Sequence, residues 1–348
     1  MSDVIVAPAQ RELEQLARTL EIWLACKLPE ARDIRVTGLD YPRGAGQSHE
    51  TILFDAAWRE GGASLSQGMV VRIKPSSFVL YADDLFLEQY EIMCAIHASG
   101  AVPIARPLWL EVDASILGAP FFVMEKVTGR VPVSIPPYAE AGWVAEASAS
   151  ERRTMWESGV RNLAAIQNVP RDDLSFLLGR DGARQGLEQE FDRYVRLFEI
   201  IERERPWAVL ANAIARLRSL WPDNQPAGLV WGDARIGNMM FGEDFRVIAV
   251  LDWEQPSLGG ALHDLAWWIV NGETMHGATD RRPHLAGMGR REDTIALWQD
   301  VTGLSADGIE WYEDFTRFKM SCLSVRMASL RGSAPPDEAA LARRLKVA

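Results

Sequence analysis

Asp233 and Asn238 stand five residues apart in Asp233-Ala234-Arg235-Ile236-Gly237-Asn238, just after the apolar stretch Leu229-Val230-Trp231. A carboxylate and an amide so spaced, on a loop that follows a strand, can converge on one substrate hydroxyl and one metal ion. Asp252 lies eleven residues beyond Phe241 and closes the apolar run Val247-Ile248-Ala249-Val250-Leu251. A carboxylate at the end of a buried strand is costly unless something neutralises it, and a divalent cation is the natural partner. Oxygen donors from Asn and Asp suit Mg²⁺, which takes few protein ligands and completes its shell with phosphate and water. The three residues fit the plan of phosphoryl transfer. One Asp accepts the proton of the attacking hydroxyl, and an Asn and a second Asp hold metal on the nucleotide phosphates.

The run Val230-Trp231-Gly232-Asp233 to Asn238, with Val250-Leu251-Asp252-Trp253-Glu254 and His263-Asp264-Leu265-Ala266, resembles the aminoglycoside phosphotransferase family. Phe121-Phe122-Val123-Met124-Glu125 resembles that family's hinge, and Leu163-Ala164-Ala165-Ile166-Gln167 one of its helices. The branch that fits best includes the kinase-like domains fused to some acyl-CoA dehydrogenases. The resemblance implies an α+β, bilobal protein-kinase-like fold, with an antiparallel sheet and one helix in the N-lobe and a mainly helical C-lobe. It implies ATP and Mg²⁺ as cofactors and a small hydroxylated molecule as acceptor. By matching positions, Asp233 resembles the catalytic base, and Asn238 and Asp252 the metal ligands. Arg72 stands where the family contacts the α- and β-phosphates. Lys74 shares its strand face and could substitute. Gly44 to Ser48, with Gly46, Gln47 and Ser48, resembles the phosphate-covering loop. The backbone near Glu125 and Val127 would meet adenine. Trp231 replaces the family's usual His, and Gln89 its usual helix Glu; Gln167 stands where His is common.

The elements that would position these residues follow from periodicity. Residues 10–27 carry Leu13, Leu16, Leu20, Trp23 and Leu24 at helical spacing. Residues 34–43, the run after Ser48, and 69–74 read as an antiparallel meander. Residues 85–97 read as a helix with Leu87, Tyr90, Met93, Cys94 and Ile96 on its apolar side, and strands follow near 106–112 and 119–127. Beyond that, 140–168, 183–219 and 306–330 read as helical, around a hairpin-like insert at 229–254. The expected division is an N-lobe over 1–127, which binds nucleotide, and a C-lobe over 128–348, which carries catalysis and the acceptor. Asp264 is expected to brace the Asp233 loop or cap a helix starting at Leu265, and Trp267 and Trp268 to sit in the core.

Of 348 residues, 48% are apolar, as in an ordinary globular chain. The net charge of −11 repels phosphate backbones and anionic membranes, so nucleic acid and membrane are not expected partners. Cys26, Cys94 and Cys322 are odd in number and far apart, which suits a reducing compartment. With no signal-peptide pattern in the first residues, the expected location is cytoplasmic. The histidines lack metal-ligand spacing. The basic run 276–291, with Arg281 and Arg282, reads as a solvated loop, with a lid over an anionic substrate as the alternative.

The reading is an ATP-dependent kinase for a hydroxyl of a small acceptor. An aminoglycoside and a hydroxyacyl thioester or other hydroxylated metabolite are the acceptor classes. A nucleotide-binding protein without turnover is the alternative from another class, and a protein kinase ranks last, for want of an A-P-E segment. Sequence leaves the acceptor, the choice of ATP or GTP and the oligomeric state open.

Overall fold

A computed structural model describes residues 11–42, 50–75, 80–178, 186–277 and 283–347. In chain order, helix α1 (Leu13–Lys27) leads to strands β1 (Arg32–Asp40), β2 (Glu50–Glu60) and β3 (Ala63–Ile73). Helix α2 (Phe86–Ser99), β4 (Pro107–Glu111), the short α3 (Ala114–Leu117) and β5 (Phe121–Glu125) follow. Then come α4 (Trp143–Glu146), α5 (Ala149–Ala165), α6 (Leu187–Glu204), α7 (Ala208–Ser219), β6 (Met239–Phe241) and β7 (Val247–Val250). Helices α8 (Leu262–Met275), α9 (Arg291–Thr302), α10 (Ile309–Leu330) and α11 (Glu338–Leu345) complete the chain. The α+β class expected from sequence is the class observed.

The chain divides into two compact units, one within Met1–Val79 and Ala105–Thr128, the other within Leu80–Ile104 and Gly129–Ala348. The first unit is a five-stranded antiparallel sheet in the order β1-β2-β3-β5-β4. Along β2, Ile52, Phe54 and Ala56 point alternately into the core, as the two-residue pleat requires. They meet Leu16, Leu20, Trp23 and Leu24 of α1, along with Val71, Phe121 and Val123. The Trp23 indole donates to Glu111 of β4 at 2.9 Å, which fastens α1 to the sheet edge. The apolar 119–127 run is explained by position, since β5 lies between β3 and β4.

Helix α2 clusters with the second unit. Its buried face is Phe86, Gln89, Ile92, Met93 and Ile96. Leu87, assigned to the apolar side from sequence, is 42% exposed. The helical period places Gln89, not Leu87, on the arc with Ile92, Met93 and Ile96. The stretch 183–219, expected to be helical, holds two helices, α6 and α7, separated at Arg205-Pro206-Trp207. Proline lacks the N–H that would continue α6 and pushes its predecessor into the extended region; Arg205 has φ −162°.

The second unit is mainly helical, around the antiparallel pair β6–β7. Its core is aromatic, with Trp156, Trp231, Trp253, Trp298, Phe315 and Phe318 fully buried. Within it lies an ionic cluster. Lys319 of α10 and Glu190 of α6 are 3.4 Å apart with side chains 1% and 2% exposed, and Arg193 reaches Glu190 at 3.3 Å. Among the described residues, no helix is long and apolar enough to cross a membrane.

Helix α5 has a glycine where α8 passes. A Cβ built on Gly159 would lie 2.6 Å from the Trp268 indole, which is itself buried. Gly159→Ala gains helix propensity of up to ~1 kcal/mol but forces a rigid buried ring to move. We expect net destabilisation by about 1–3 kcal/mol, read as a lower urea midpoint with unchanged slope; a raised midpoint would contradict this packing.

Candidate active site

Four short segments of the second unit build the site: the loop 231–238, the turn after β7, the start of α8 and residues near Ser134. The strand-like run through Val230 pairs with Ser257, each backbone N–H meeting the other's carbonyl at 2.8 and 3.2 Å. The chain then turns at Gly232, whose φ of +106° suits glycine alone. A Cβ there would lie 2.5 Å from the Gln255 carbonyl oxygen. The turn is held by Asp264 in the first turn of α8. Its Oδ2 accepts the Trp231 N–H at 2.6 Å and its Oδ1 the Gly232 N–H at 3.0 Å. Asp264 therefore braces the Asp233 loop. It caps nothing, because α8 starts at Leu262, three residues before the expected Leu265.

Asp233 follows that turn with a side chain 20% exposed. Its Oδ2 accepts the Asn238 Nδ2 at 2.7 Å and the Arg235 Nε at 2.9 Å. Its Oδ1 accepts the Trp267 Nε1 at 2.8 Å. Arg235 also donates to the Ser134 hydroxyl at 2.9 Å. Burial alone would lower the Arg235 pKa, but the Asp233 carboxylate outweighs it and the pKa is raised. Asn238 is buried, and its Nδ2 also reaches the Asp233 carbonyl at 3.0 Å, so its side-chain oxygen is turned away from Asp233.

Asp252 is brought to the same place by its neighbour. The Leu251 N–H donates to the Asn238 carbonyl at 2.8 Å, and the Leu251 carbonyl accepts the Trp231 Nε1 at 2.8 Å. Trp231, found in place of a histidine, thus supplies its own hydrogen bond, from the Asp233 loop to the residue before Asp252. Asp252 itself has φ +62°, a left-handed conformation that Asp and Asn tolerate better than other residues with a Cβ. Burial pushes the Tyr81 hydroxyl well above its ordinary pKa, and Glu254, Asp233 and Asp252 add to the rise, which marks a convergence of negative charge.

Asn238 and Asp252 together offer oxygen donors on adjacent backbone, a hard set that fits Mg²⁺. No group of three or more His, Cys, Asp or Glu among the described residues could enclose a metal alone. A cation here would draw its remaining ligands from phosphate and water, as Mg²⁺ does.

Of the residues singled out from sequence, Asp233, Asn238 and Asp252 come together in the second unit. Arg72 and Lys74, half-buried at the end of β3, and Glu125 and Val127, at the end of β5, lie in the first unit. There Arg72 is opposite Phe122 and Met69 opposite Glu125. Gly46, Gln47 and Ser48 of the phosphate-covering loop, and Arg281 and Arg282 of the basic run, lie outside the described residues. Gln89 is fully buried, and neither of its amide atoms is hydrogen bonded among the described residues. Sequence reasoning assigned no role to Arg235 or Ser134 and placed Trp267 in the core. The available signal for Trp267 was its i+3 spacing from Asp264 on one helix face.

A sequence profile of the phosphotransferase enzyme family (APH) matches residues 44–303. Acyl-CoA dehydrogenase family member 11 of Mus musculus is 28% identical over 93% of this chain, which spans 40% of that protein; for the Rattus norvegicus counterpart the span is 28%. Among solved structures, a candidate aminoglycoside phosphotransferase from Ralstonia eutropha is similar at TM-score 0.66 and 22% identity, over 94% of each chain. A Plasmodium vivax ethanolamine kinase is similar at TM-score 0.60 and 12% identity, over 99% of this chain and 91% of that one. These structural likenesses speak for a shared kinase-like fold.

Two outcomes follow from the geometry. Asp252→Ala, which lacks the tolerance of Asp and Asn for positive φ, should be less stable than Asp252→Asn by ~1 kcal/mol; equal urea midpoints would sink the strain argument. Burial raises the Asp264 pKa from 3.8 to about 6, against the lowering effect of its two amide partners. The folded state therefore binds this proton more tightly than the unfolded one. Stability from this group is present at low pH and lost as pH rises through 6. Between pH 7 and pH 5, wild type should gain about 1 kcal/mol relative to Asp264→Asn; a gap between the two that stays constant with pH would refute it.

Proposed function

The chain belongs to the phosphotransferase enzyme family, and from that premise we propose that it transfers the γ-phosphoryl group of ATP to a hydroxyl of a small acceptor. The family is one of small-molecule phosphotransferases; ATP, the acceptor hydroxyl and the residue roles are the further content of the reading. What supports it is the dressing of Asp233, a partly exposed carboxylate whose Oδ2 is bound by the very amide, Asn238, that turns its oxygen the other way.

In this reading Asp233 orients the acceptor hydroxyl and takes its proton as the oxygen attacks phosphorus. Phosphoryl transfer demands little covalent work from a protein, so positioning carries most of the effect. The bonds to Asn238, Arg235 and Trp267 fix both carboxylate oxygens before the acceptor arrives. Asn238 and Asp252 would hold Mg²⁺, which when bound draws negative charge from the phosphate oxygens. Arg72, with Lys74, is assigned to the α- and β-phosphates, and the backbone near Glu125 and Val127 to adenine. Nucleotide binding is thereby assigned to residues 1–127, and catalysis with acceptor binding to 128–348.

Two acceptor classes are favoured by different observations. Likeness to a candidate aminoglycoside phosphotransferase and the acidic surface favour a polycationic aminoglycoside. Likeness to acyl-CoA dehydrogenase family members favours a hydroxyacyl thioester.

An ATP-consumption screen with Mg²⁺ over aminoglycosides, macrolides, small amino alcohols and hydroxyacyl-CoAs tests the reading. On any hit, Asp233→Ala should lose about 10²–10⁴ in kcat, and an Asp233→Ala rate equal to wild type would remove Asp233 as base. Saturating ATP with Mg²⁺ should raise the Tm, by linkage, and Asp252→Asn should abolish the Mg²⁺-dependent part of the rise. A rise in Tm without turnover anywhere in the screen would replace transfer by nucleotide binding alone.

A further inference from the structure

Asp233 is a base with an asymmetric set of partners. Oδ2 accepts two donors, Asn238 and Arg235, and Oδ1 accepts one, the Trp267 indole N–H at 2.8 Å. A carboxylate oxygen can accept about two hydrogen bonds. The acceptor hydroxyl is therefore directed to Oδ1, the oxygen that Trp267 holds. Without the indole, the carboxylate would be held at Oδ2 alone and could turn about the Cβ–Cγ bond as far as those two bonds allow, carrying Oδ1 with it.

Trp267 is itself held by charge. Lys319 lies 5.2 Å from the Trp267 ring centroid, with the Tyr194 and Phe315 rings at 5.2 and 5.1 Å. Its counter-ion is Glu190, at 3.4 Å, which also accepts the Ser257 hydroxyl at 2.8 Å. A buried ion pair is a costly filling for a core, and apolar residues of the same volume often serve stability as well. Here the cation lies against the indole whose N–H reaches the base. A cation against an aromatic face is attracted to it and withdraws electron density from the ring, which strengthens its N–H as a donor.

We infer that Trp267 is a positioning residue for Asp233, holding Oδ1 toward the acceptor hydroxyl, and that the buried Lys319–Glu190 pair fixes and polarises its indole. The inference rests on the reading of Asp233 as the base. Helices α6, α8 and α10 thus meet around one indole.

Full-length ¹⁵N-labelled protein gives a test that needs no acceptor. The Trp267 indole N–H signal is identified by its loss in Trp267→Phe. It should lie downfield in wild type and move upfield in Asp233→Ala. It should also move upfield in the charge-neutral double variant Glu190→Gln/Lys319→Met. An unchanged signal in Asp233→Ala overturns the positioning role. An unchanged signal in the double variant overturns the part assigned to the ion pair. Should Trp267→Phe fail to fold, selective labelling with the double variant still reads the signal. On a screened acceptor, Trp267→Phe should lose about 10- to 100-fold in kcat, with KM for nucleotide and acceptor within twofold of wild type. Wild-type kcat in a folded Trp267→Phe would overturn the inference. A wild-type protein that turns over no acceptor would instead overturn the function reading, and the indole signal would still decide whether Trp267 holds Asp233.

Discussion

Two consecutive backbone amides converge on the side chain of Asp264, and the geometry of the site depends on that grip. The carboxylate is buried, and its bonds to Trp231 and Gly232 at 2.6 and 3.0 Å are its counterweight to lost hydration. They hold a turn whose φ of +106° the chain would otherwise leave. Asp233 is the next residue, so the direction of its side chain is set by a carboxylate thirty-one positions away in sequence. Helix α8 serves twice, because Asp264 grips the backbone and Trp267, one turn on, grips the side chain.

The second theme is the doubling of the Leu251 backbone as a splice. Its N–H goes to the Asn238 carbonyl and its carbonyl to the Trp231 indole. The loop that leads into β6 and the turn that follows β7 are thereby locked in register. Asn238 and Asp252 cannot drift apart without breaking the Leu251–Asn238 bond, worth roughly 0.5–1.5 kcal/mol. Trp231 also packs against the Trp253 ring, at 5.8 Å.

Much of this was legible in the sequence, for reasons that particular residues make clear. Asp233, Asn238 and Asp252 announce themselves because polar residues at the ends of apolar runs are costly without a task. The meander of the first unit was legible from turn signals at short spacing. Trp267 was invisible because an indole in an apolar helix reads as core, and it is core on every side except the one N–H that matters. Leu87 was placed on the apolar side because residue type was weighed above helical phase, and in α2 the phase wins. The break at Pro206 was written in the sequence and passed over. The grouping of α2 with the helical unit arises from long-range packing against residues 171–177, which no local window contains.

The turn at Gly232 closes a door on variation. Two independent restrictions meet there: a backbone angle reserved for residues without a Cβ, and a Gln255 carbonyl oxygen standing 2.5 Å from where such an atom would go. Relief of one leaves the other in force, so no single exchange elsewhere can license a side chain at this point. Change in the loop is confined to its flanks, as at Trp231, while its pivot stays fixed. The chemistry of this chain can be retuned around that hinge but not through it.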